Sequence, residues 1–331
     1  MLRIGMLSAW HVHARGYAHE LNEMPDVKIA AVYDEEPERG RPWAAELGVD
    51  FEPDLATFLA RDDIDAVVVD SPTHLHHEVM VAAAEAGKHI FTEKVMALTV
   101  AECKAVAEAV RKAGVQFSIS FPQRTTPQPR FAKRVADEKL IGDVTLLRVR
   151  VAHDGASAGW LPPHFYDPVA CGGGAMIDLG AHPMYLARWI LGKPTRVTAL
   201  FNAFTGCDVE DNAVALIEFD NKAIAIVETS FVSSHSPFWL ELYGTEGSLI
   251  VGGPDNRVQL ISNLLGTQVQ GWISPSQLPE AEPRPIRQWV EALLEGRDAP
   301  FGIEDGTQLT ALMEAAYASY RQNGAAVPIQ G

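Results

Sequence analysis

At 331 residues the chain exceeds the usual size of one domain, so two are expected. A formal net charge of −16 argues against nucleic-acid or anionic-membrane surfaces as partners, since both need a basic face. No run approaches the ~18 apolar residues of a membrane helix. The first residues lack a basic stretch followed by an apolar one, and Cys103, Cys171 and Cys207 are too scattered for a disulfide framework, so a cytoplasmic protein is expected.

Residues 1–121 interleave short apolar runs with helical patterns. "LRIGMLS" opens the chain and is followed by a helix-like segment, then by "VKIAAVYD" at 27–34 and a helix stopped by Gly48. "AVVVDSP" at 66–72, "HEVMVAAAEAG", "HIFTEK" at 89–94, a further helix and "QFSISF" at 116–121 continue the alternation. Unbroken β-branched runs between helices predict a doubly wound parallel sheet in an α/β domain. Residues 122–331 read differently. Longer strands are expected at 144–154, 196–205, 211–220, 222–232 and 238–251, with Asp220-Asn221 as a hairpin turn. Ala213, Ala215, Ile217 and Phe219 share one face, which suggests a large, open, mainly antiparallel sheet with helices on one side. "GGGAMIDLGAHPMYLARWILG" reads as a helix after a triple glycine, and helices near 285–295 and 304–322 close the chain. The second domain is taken as 122–331, with its terminal helix able to pack back on the first.

Ligands of doubly wound sheets bind beyond the carboxyl ends of the strands. The first such end carries Ser8-Ala9-Trp10-His11-Val12-His13, with none of the glycines expected of a phosphate-binding turn. Asp34 follows the second strand, roughly 20 residues on, where a carboxylate can accept hydrogen bonds from an adenosine ribose and repel a 2′-phosphate. That favours NAD over NADP. Ser71, Pro72 and His76 follow a later strand, and Glu93 and Lys94 the next. In the second half, Asp178 and His182 are four residues apart and would share a helix face, an acid/base arrangement in which the carboxylate sets the charge of the imidazole. The preceding glycines would let the backbone approach a ligand closely.

Three segments together resemble the Gfo/Idh/MocA family, the glucose-fructose oxidoreductase and inositol dehydrogenase group. They are "SPTHLHHEVMVAAAEAGKHIFTEK", "GGGAMIDLGAHPMYLARWILG" and the tail "LMEAAYASYRQNGAAVPI". The resemblance implies an N-terminal Rossmann domain, a C-terminal domain on an open antiparallel sheet, and NAD(P)-dependent hydride transfer on a sugar, polyol or related carbohydrate. It also implies a homodimer or homotetramer formed through the C-terminal sheet. It makes Lys94, Asp178 and His182 catalytic, with His182 as acid/base and Lys94 orienting the reacting oxygen. Ser8, Ala9, Trp10, His11, Val12, Asp34, Ser71, Pro72, His76, Glu93 and Lys94 would contact the cofactor. Arg124 would face substrate, with Asp178 and His182; Trp160, His164 and Tyr166, just before the triple glycine, are expected to join them.

The chain departs from the family pattern at two places. The proline of E-K-P is Val95, and Ser8, Trp10 and His13 stand where the turn's small residues belong. His11, His13, His74, His76 and His77 border one crevice in this architecture, which raises a metal site. The open doubly wound sheet and the family's own claim on His76 weigh against it, and none is expected. Two rival functions remain at this stage: an enzyme that holds NAD tightly for non-net redox chemistry on a glycoside or sugar, and a non-catalytic binding protein on the same fold.

Overall fold

The computed structural model describes residues 1–266 and 271–330. Two compact units emerge: Met1–Ser120 with Pro283–Thr310, and Phe121–Glu282 with the segment from Ala311 onward.

The first unit runs β1 (Leu2–Leu7), α1 (Ala14–Asn22), β2 (Val27–Tyr33), α2 (Pro37–Leu47), β3 (Asp50–Phe51), α3 (Leu55–Leu59), β4 (Ala66–Val69), α4 (His76–Glu85), β5 (His89–Thr92), α5 (Val100–Ala113) and β6 (Phe117–Ile119). Its six strands are parallel, in the order β3-β2-β1-β4-β5-β6. This is the strand order of the dinucleotide-binding doubly wound fold. All four residues of β4 are buried, as a sheet covered on both faces demands. The short edge strand β3 and helix α3 carry too little periodicity to be legible in the sequence.

Residues 283–310 group with this unit, although the sequence pattern placed them in the second. The reason is visible in a later helix, Pro285–Glu295 (numbered α9 below). Its Ile286, Trp289 and Val290 recur at i, i+3 and i+4 and complete a core shared with Ile4, Met6, Val68 and Phe91.

The second unit begins with α6 (Pro127–Asp137) and β7 (Val144–Ala152), followed by α7 (Pro168–Cys171), α8 (Ala181–Leu191), β8 (Pro194–Asn202), β9 (Asn212–Phe219), β10 (Ile224–Ser230), β11 (Trp239–Gly244), β12 (Gly247–Gly252) and β13 (Arg257–Ser262). After α9 come α10 (Ile303–Arg321) and β14 (Val327–Pro328). The eight strands are ordered β13-β12-β11-β7-β10-β9-β8-β14, antiparallel except for the β7–β10 pair. The Asp220-Asn221 turn joins β9 to β10, and Ala213, Ala215, Ile217 and Phe219 are all buried on one face. The 238–251 stretch is not one strand but the hairpin β11–β12, broken at Thr245-Glu246. No described helix is long and apolar enough to cross a membrane.

One close approach in the first unit fixes the end of β2. Gly40, inside α2, lies so near the Asp34 and Phe51 side chains that a Cβ there would collide with both. Alanine normally stabilises a helix by about 1 kcal/mol relative to glycine. Here overpacking of about 1–3 kcal/mol wins. Gly40→Ala should therefore lower the melting midpoint by about 2–4 °C or more; an unchanged or raised midpoint would contradict this packing.

Candidate active site

At the carboxyl end of β1 the chain turns without glycine. Ser8 takes φ +74°, the left-handed backbone that a glycine would otherwise supply. Its Oγ accepts the Trp10 N–H at 3.0 Å and donates to Glu35 at 3.1 Å. The turn's other N–H groups are also engaged: Ala9 on Asp34, His11 on the Asp70 carbonyl, His13 on His11 Nδ1 and Ala14 on the His11 carbonyl. Trp10 is buried, so the residue at the second glycine position belongs to the packed interior rather than to the solvent side of the turn.

Asp34 is fully buried at the end of β2. It accepts from the N–H groups of Ala9 and Glu36 and from Nε and Nη2 of Arg39. Four donors fill about four lone-pair sites, so this carboxylate ties two turns together and has little capacity left for a ribose. Its neighbour Glu35 has that capacity. Oε2 of Glu35 is buried with no hydrogen-bond partner among the described residues. Burial, with Asp34 alongside, pushes the Glu35 carboxyl upward. Sequence reasoning missed Glu35 because it singled out only the first acid of the Asp34-Glu35-Glu36 run.

Glu93, following β5, is almost completely buried and reaches three elements. It accepts from His13 Nδ1 at 2.8 Å, from the Tyr17 hydroxyl of α1, and from the Lys94 N–H at 3.0 Å. Ser120 Oγ is 2.7 Å from the Tyr17 oxygen; with the Tyr17 proton given to the carboxylate, the serine is the donor. Burial alone would raise the Glu93 carboxyl, but His11, His13 and Lys94 around it hold it well below the usual range. Lys94 itself is buried, and the Lys94–Val95 peptide is cis.

His76 is engaged within the protein. Its Nδ1 is 2.8 Å from the Val95 carbonyl and its Nε2 3.0 Å from the Ser71 carbonyl, both inside the protein. It is a strut that fixes the turn after β4 against the Lys94-Val95 segment. Ser71 Oγ and both carboxylate oxygens of Asp70 are buried without hydrogen-bond partners among the described residues.

In the second unit, two of the three consecutive glycines are required by close packing. A Cβ on Gly173 would run into the Tyr317 hydroxyl, and one on Gly174 into the Glu210 carbonyl. The buried Glu210 carboxylate accepts from the N–H groups of Gly174 at 3.0 Å and Met176 at 2.9 Å, and from Tyr317. Residues 175–180 therefore form turns, and α8 starts only at Ala181. Asp178 lies in those turns, ahead of the helix that carries His182. The buried His182 instead has its Nδ1 2.9 Å from the Tyr185 hydroxyl, which also accepts the Gln123 N–H at 3.0 Å. The Arg124 guanidinium lies over the rings of Trp189, at 5.2 Å, and Phe121, at 5.9 Å. Trp160 is largely exposed and donates from Nε1 to Asp154. His153, not anticipated from the sequence, stacks on Phe231 at 5.0 Å and meets Trp160 at a tilt, 4.6 Å between centroids. His164 and Tyr166 lie in the short turn around Phe165, which packs with Leu161, Ala175 and Phe231.

Comparison with known proteins decides the family. The oxidoreductase family with an NAD-binding Rossmann fold, GFO/IDH/MocA, matches residues 4–121, and the GFO/IDH/MocA C-terminal domain matches residues 130–250. The chain belongs to the GFO/IDH/MocA family. Its relatives include a scyllo-inositol 2-dehydrogenase (NAD(+)) of Bacillus subtilis, 33% identical over 248 residues that make up 72% of this chain and 70% of the relative. An inositol 2-dehydrogenase of Saccharopolyspora erythraea is 28% identical over 92% of this chain and 89% of its own. Among solved structures, that of GenD2 from gentamicin A biosynthesis in complex with NAD superposes with a TM-score of 0.84 at 27% identity, covering 100% of this chain and 97% of that one. This protein is thus an oxidoreductase of the GFO/IDH/MocA family with its Rossmann unit first.

The residues present fit the dinucleotide that this family's Rossmann domain binds, even without glycines. The sheet order is that of dinucleotide-binding proteins, Ser8 reproduces the left-handed turn, and Glu35 Oε2 is an unpartnered acceptor at the end of β2.

The His76 strut has a pH signature. Burial holds its imidazole below the ordinary value against the two carbonyls, which favour the charged form; neutral, it carries one N–H and donates to only one of them at a time. The unfolded chain takes up a proton below about pH 6.5, so this stabilisation is present above that pH and is lost as pH falls toward the depressed folded value. His76→Ala should melt earlier at about pH 7.5 and lose less stability than the parent between about pH 7 and pH 5.5. Parallel pH profiles for the two proteins would contradict the assignment.

Proposed function

We propose that the protein is an NAD-dependent dehydrogenase that moves a hydride to or from a hydroxyl-bearing carbon of a sugar, polyol or related carbohydrate. What carries this reading is the retention of two buried basic side chains, Lys94 and His182, at the family's reactive positions. The inositol dehydrogenases among the relatives support the substrate class.

When bound, the nicotinamide supplies the hydride acceptor or donor. The chain's own residues hold the reacting groups and move the proton. His182 takes the hydroxyl proton, or returns it, at Nε2, because Nδ1 is occupied by the Tyr185 hydroxyl. The Lys94 ammonium orients the reacting oxygen and stabilises its alkoxide character. Glu93 fixes Lys94 by accepting its backbone N–H. Asp178 joins His182 as the acidic member of the catalytic set. Arg124, Trp160, His164 and Tyr166, with His153, offer stacking faces and hydrogen-bonding edges suited to a polyhydroxylated ring.

The cofactor is held by the Ser8–Val12 turn, by Ser71 and Pro72 after β4, and by Glu93 and Lys94. Glu35 rather than Asp34 accepts from the adenosine ribose. Arg39, the cation nearest this position in sequence, is claimed by Asp34, Glu35 and Glu36, so a 2′-phosphate would meet net negative charge. NAD is therefore preferred over NADP. Leu200, Val214, Leu216 and Ile224 are exposed on β8, β9 and β10, and this face suits a homodimer or homotetramer. We place the protein in the reducing cytoplasm, where its three scattered cysteines suit thiol chemistry better than a disulfide framework.

Two experiments test this reading. With a panel of inositols and monosaccharides, production of reduced nicotinamide should identify a substrate, and Lys94→Ala and His182→Ala should each lower kcat by about 100-fold or more. NAD affinity, read by protein fluorescence, should change little in His182→Ala. Full turnover in both variants would refute the roles. Separately, Glu35→Gln should weaken NAD and narrow its advantage over NADP; an unaltered preference would return the ribose to Asp34.

A further inference from the structure

The turn after β1 brings two imidazoles against a buried carboxylate. One ligand atom from each of His11, His13 and Glu93 lies within 4.8 Å of the other two. His11 and Glu93 are buried, and His13 opens to solvent. The two imidazole rings approach edge to face at 4.6 Å between centroids, and His13 Nδ1 is 2.8 Å from Glu93 Oε1.

A second observation comes from Asp70. In the sheet, β4 lies between β1 and β5, so the residue following β4 is flanked by the turn that carries the histidines and by Glu93. The Asp70 carbonyl accepts the His11 N–H at 3.0 Å, and the Glu93 N–H bonds to the Val69 carbonyl at 3.2 Å. Asp70 has zero exposure, and neither of its carboxylate oxygens has a hydrogen-bond partner among the described residues. Burial, and then the Glu93 charge, push the Asp70 carboxyl well above its usual range, so it rests as the neutral acid and gives up its proton when a cation binds nearby.

We propose that His11, His13 and Glu93 form a binding site for a divalent first-row transition-metal ion of the zinc class, with the buried Asp70 carboxyl behind them as a further acidic group. Two imidazole nitrogens with carboxylate oxygens are the donor set such ions take, at about 2.0–2.2 Å. Hard ions such as magnesium and calcium prefer all-oxygen sets and are poorly served here. The hydrogen bonds now on the ring nitrogens are those that coordination replaces, with release of protons. Asp70 completes the charge balance, because the imidazoles must be neutral to ligate. The dipositive charge then stands at the head of α1, where the N–H groups of Ala9, Trp10, His11, His13 and Ala14 are already engaged within the protein. The His-x-His spacing was visible in the sequence, but Glu93 comes from another strand end and only the fold brings it to the two imidazoles.

The site is tested with metal alone, independently of any nucleotide. The full-length chain is stripped with a chelator and dialysed against zinc, and in parallel titrated with cobalt(II) while its visible absorption is followed. The expected result is about one ion per chain and a d–d spectrum of low-symmetry nitrogen and oxygen ligation, with affinity at least ~10-fold weaker in His13→Ala and in Asp70→Asn. His13 is exposed, so its replacement leaves the fold intact, and metal-free melting curves verify this for both variants. Absence of bound ion in the parent protein would overturn the proposal. So would an ion whose affinity and spectrum are unchanged in both variants, or one lost equally in His77→Ala, a histidine outside the cluster.

Discussion

The first unit depends on one buried carboxylate. Glu93 accepts from His13 after β1, from Tyr17 within α1 and from the Lys94 N–H after β5. Its burial would drive it neutral, and the surrounding cations reverse that. A charged hub at this point ties the mouth of the β1 turn, the first helix and the segment bearing Lys94 into one unit. The side chain that would touch the reacting oxygen is therefore positioned by the same group that shapes the phosphate turn.

This hub explains how a dinucleotide turn persists without glycine. Glycines normally permit a left-handed backbone and a close approach of N–H groups to pyrophosphate. Here the first requirement is met by Ser8, whose strained φ is supported by its own Oγ bond to Trp10. The second is not met in the usual way, since the turn's N–H groups bond internally. Side chains rather than free backbone N–H groups line the head of α1 here: His11, His13 and, beyond them, Glu93. In the second unit Glu210 has a comparable structural part, gripping the glycine turn that precedes His182.

Much of this was legible in the sequence. Continuous β-branched runs gave away the parallel sheet, and the "TEK" and "GGGAMIDLGAH" segments gave away the family. The rest depends on contacts distant in sequence. Asp178 and His182 are four apart, but the helix begins at Ala181, because Glu210 and the close packing of Gly173 and Gly174 hold the preceding residues in turns. Asp34 looked like the ribose ligand, but a carboxylate filled by four protein donors has no room for a fifth. His76 matched a cofactor position by pattern, yet both its nitrogens are directed at backbone carbonyls. Residues 285–295 joined the first unit because the apolar stripe of α9 fits that core, a preference no local pattern could reveal. In each case a long-range contact decided between readings that local spacing left equal.

The central claim is that a glycine-free turn, rebuilt on Ser8 and Glu93, still serves a dinucleotide site selective for NAD. Calorimetric titration of the intact protein with NAD and with NADP tests it most directly. The account predicts saturable binding of NAD at about one molecule per chain, with NADP at least ~10-fold weaker because three carboxylates already claim Arg39. No heat of binding with either dinucleotide, or tighter binding of NADP, would contradict it.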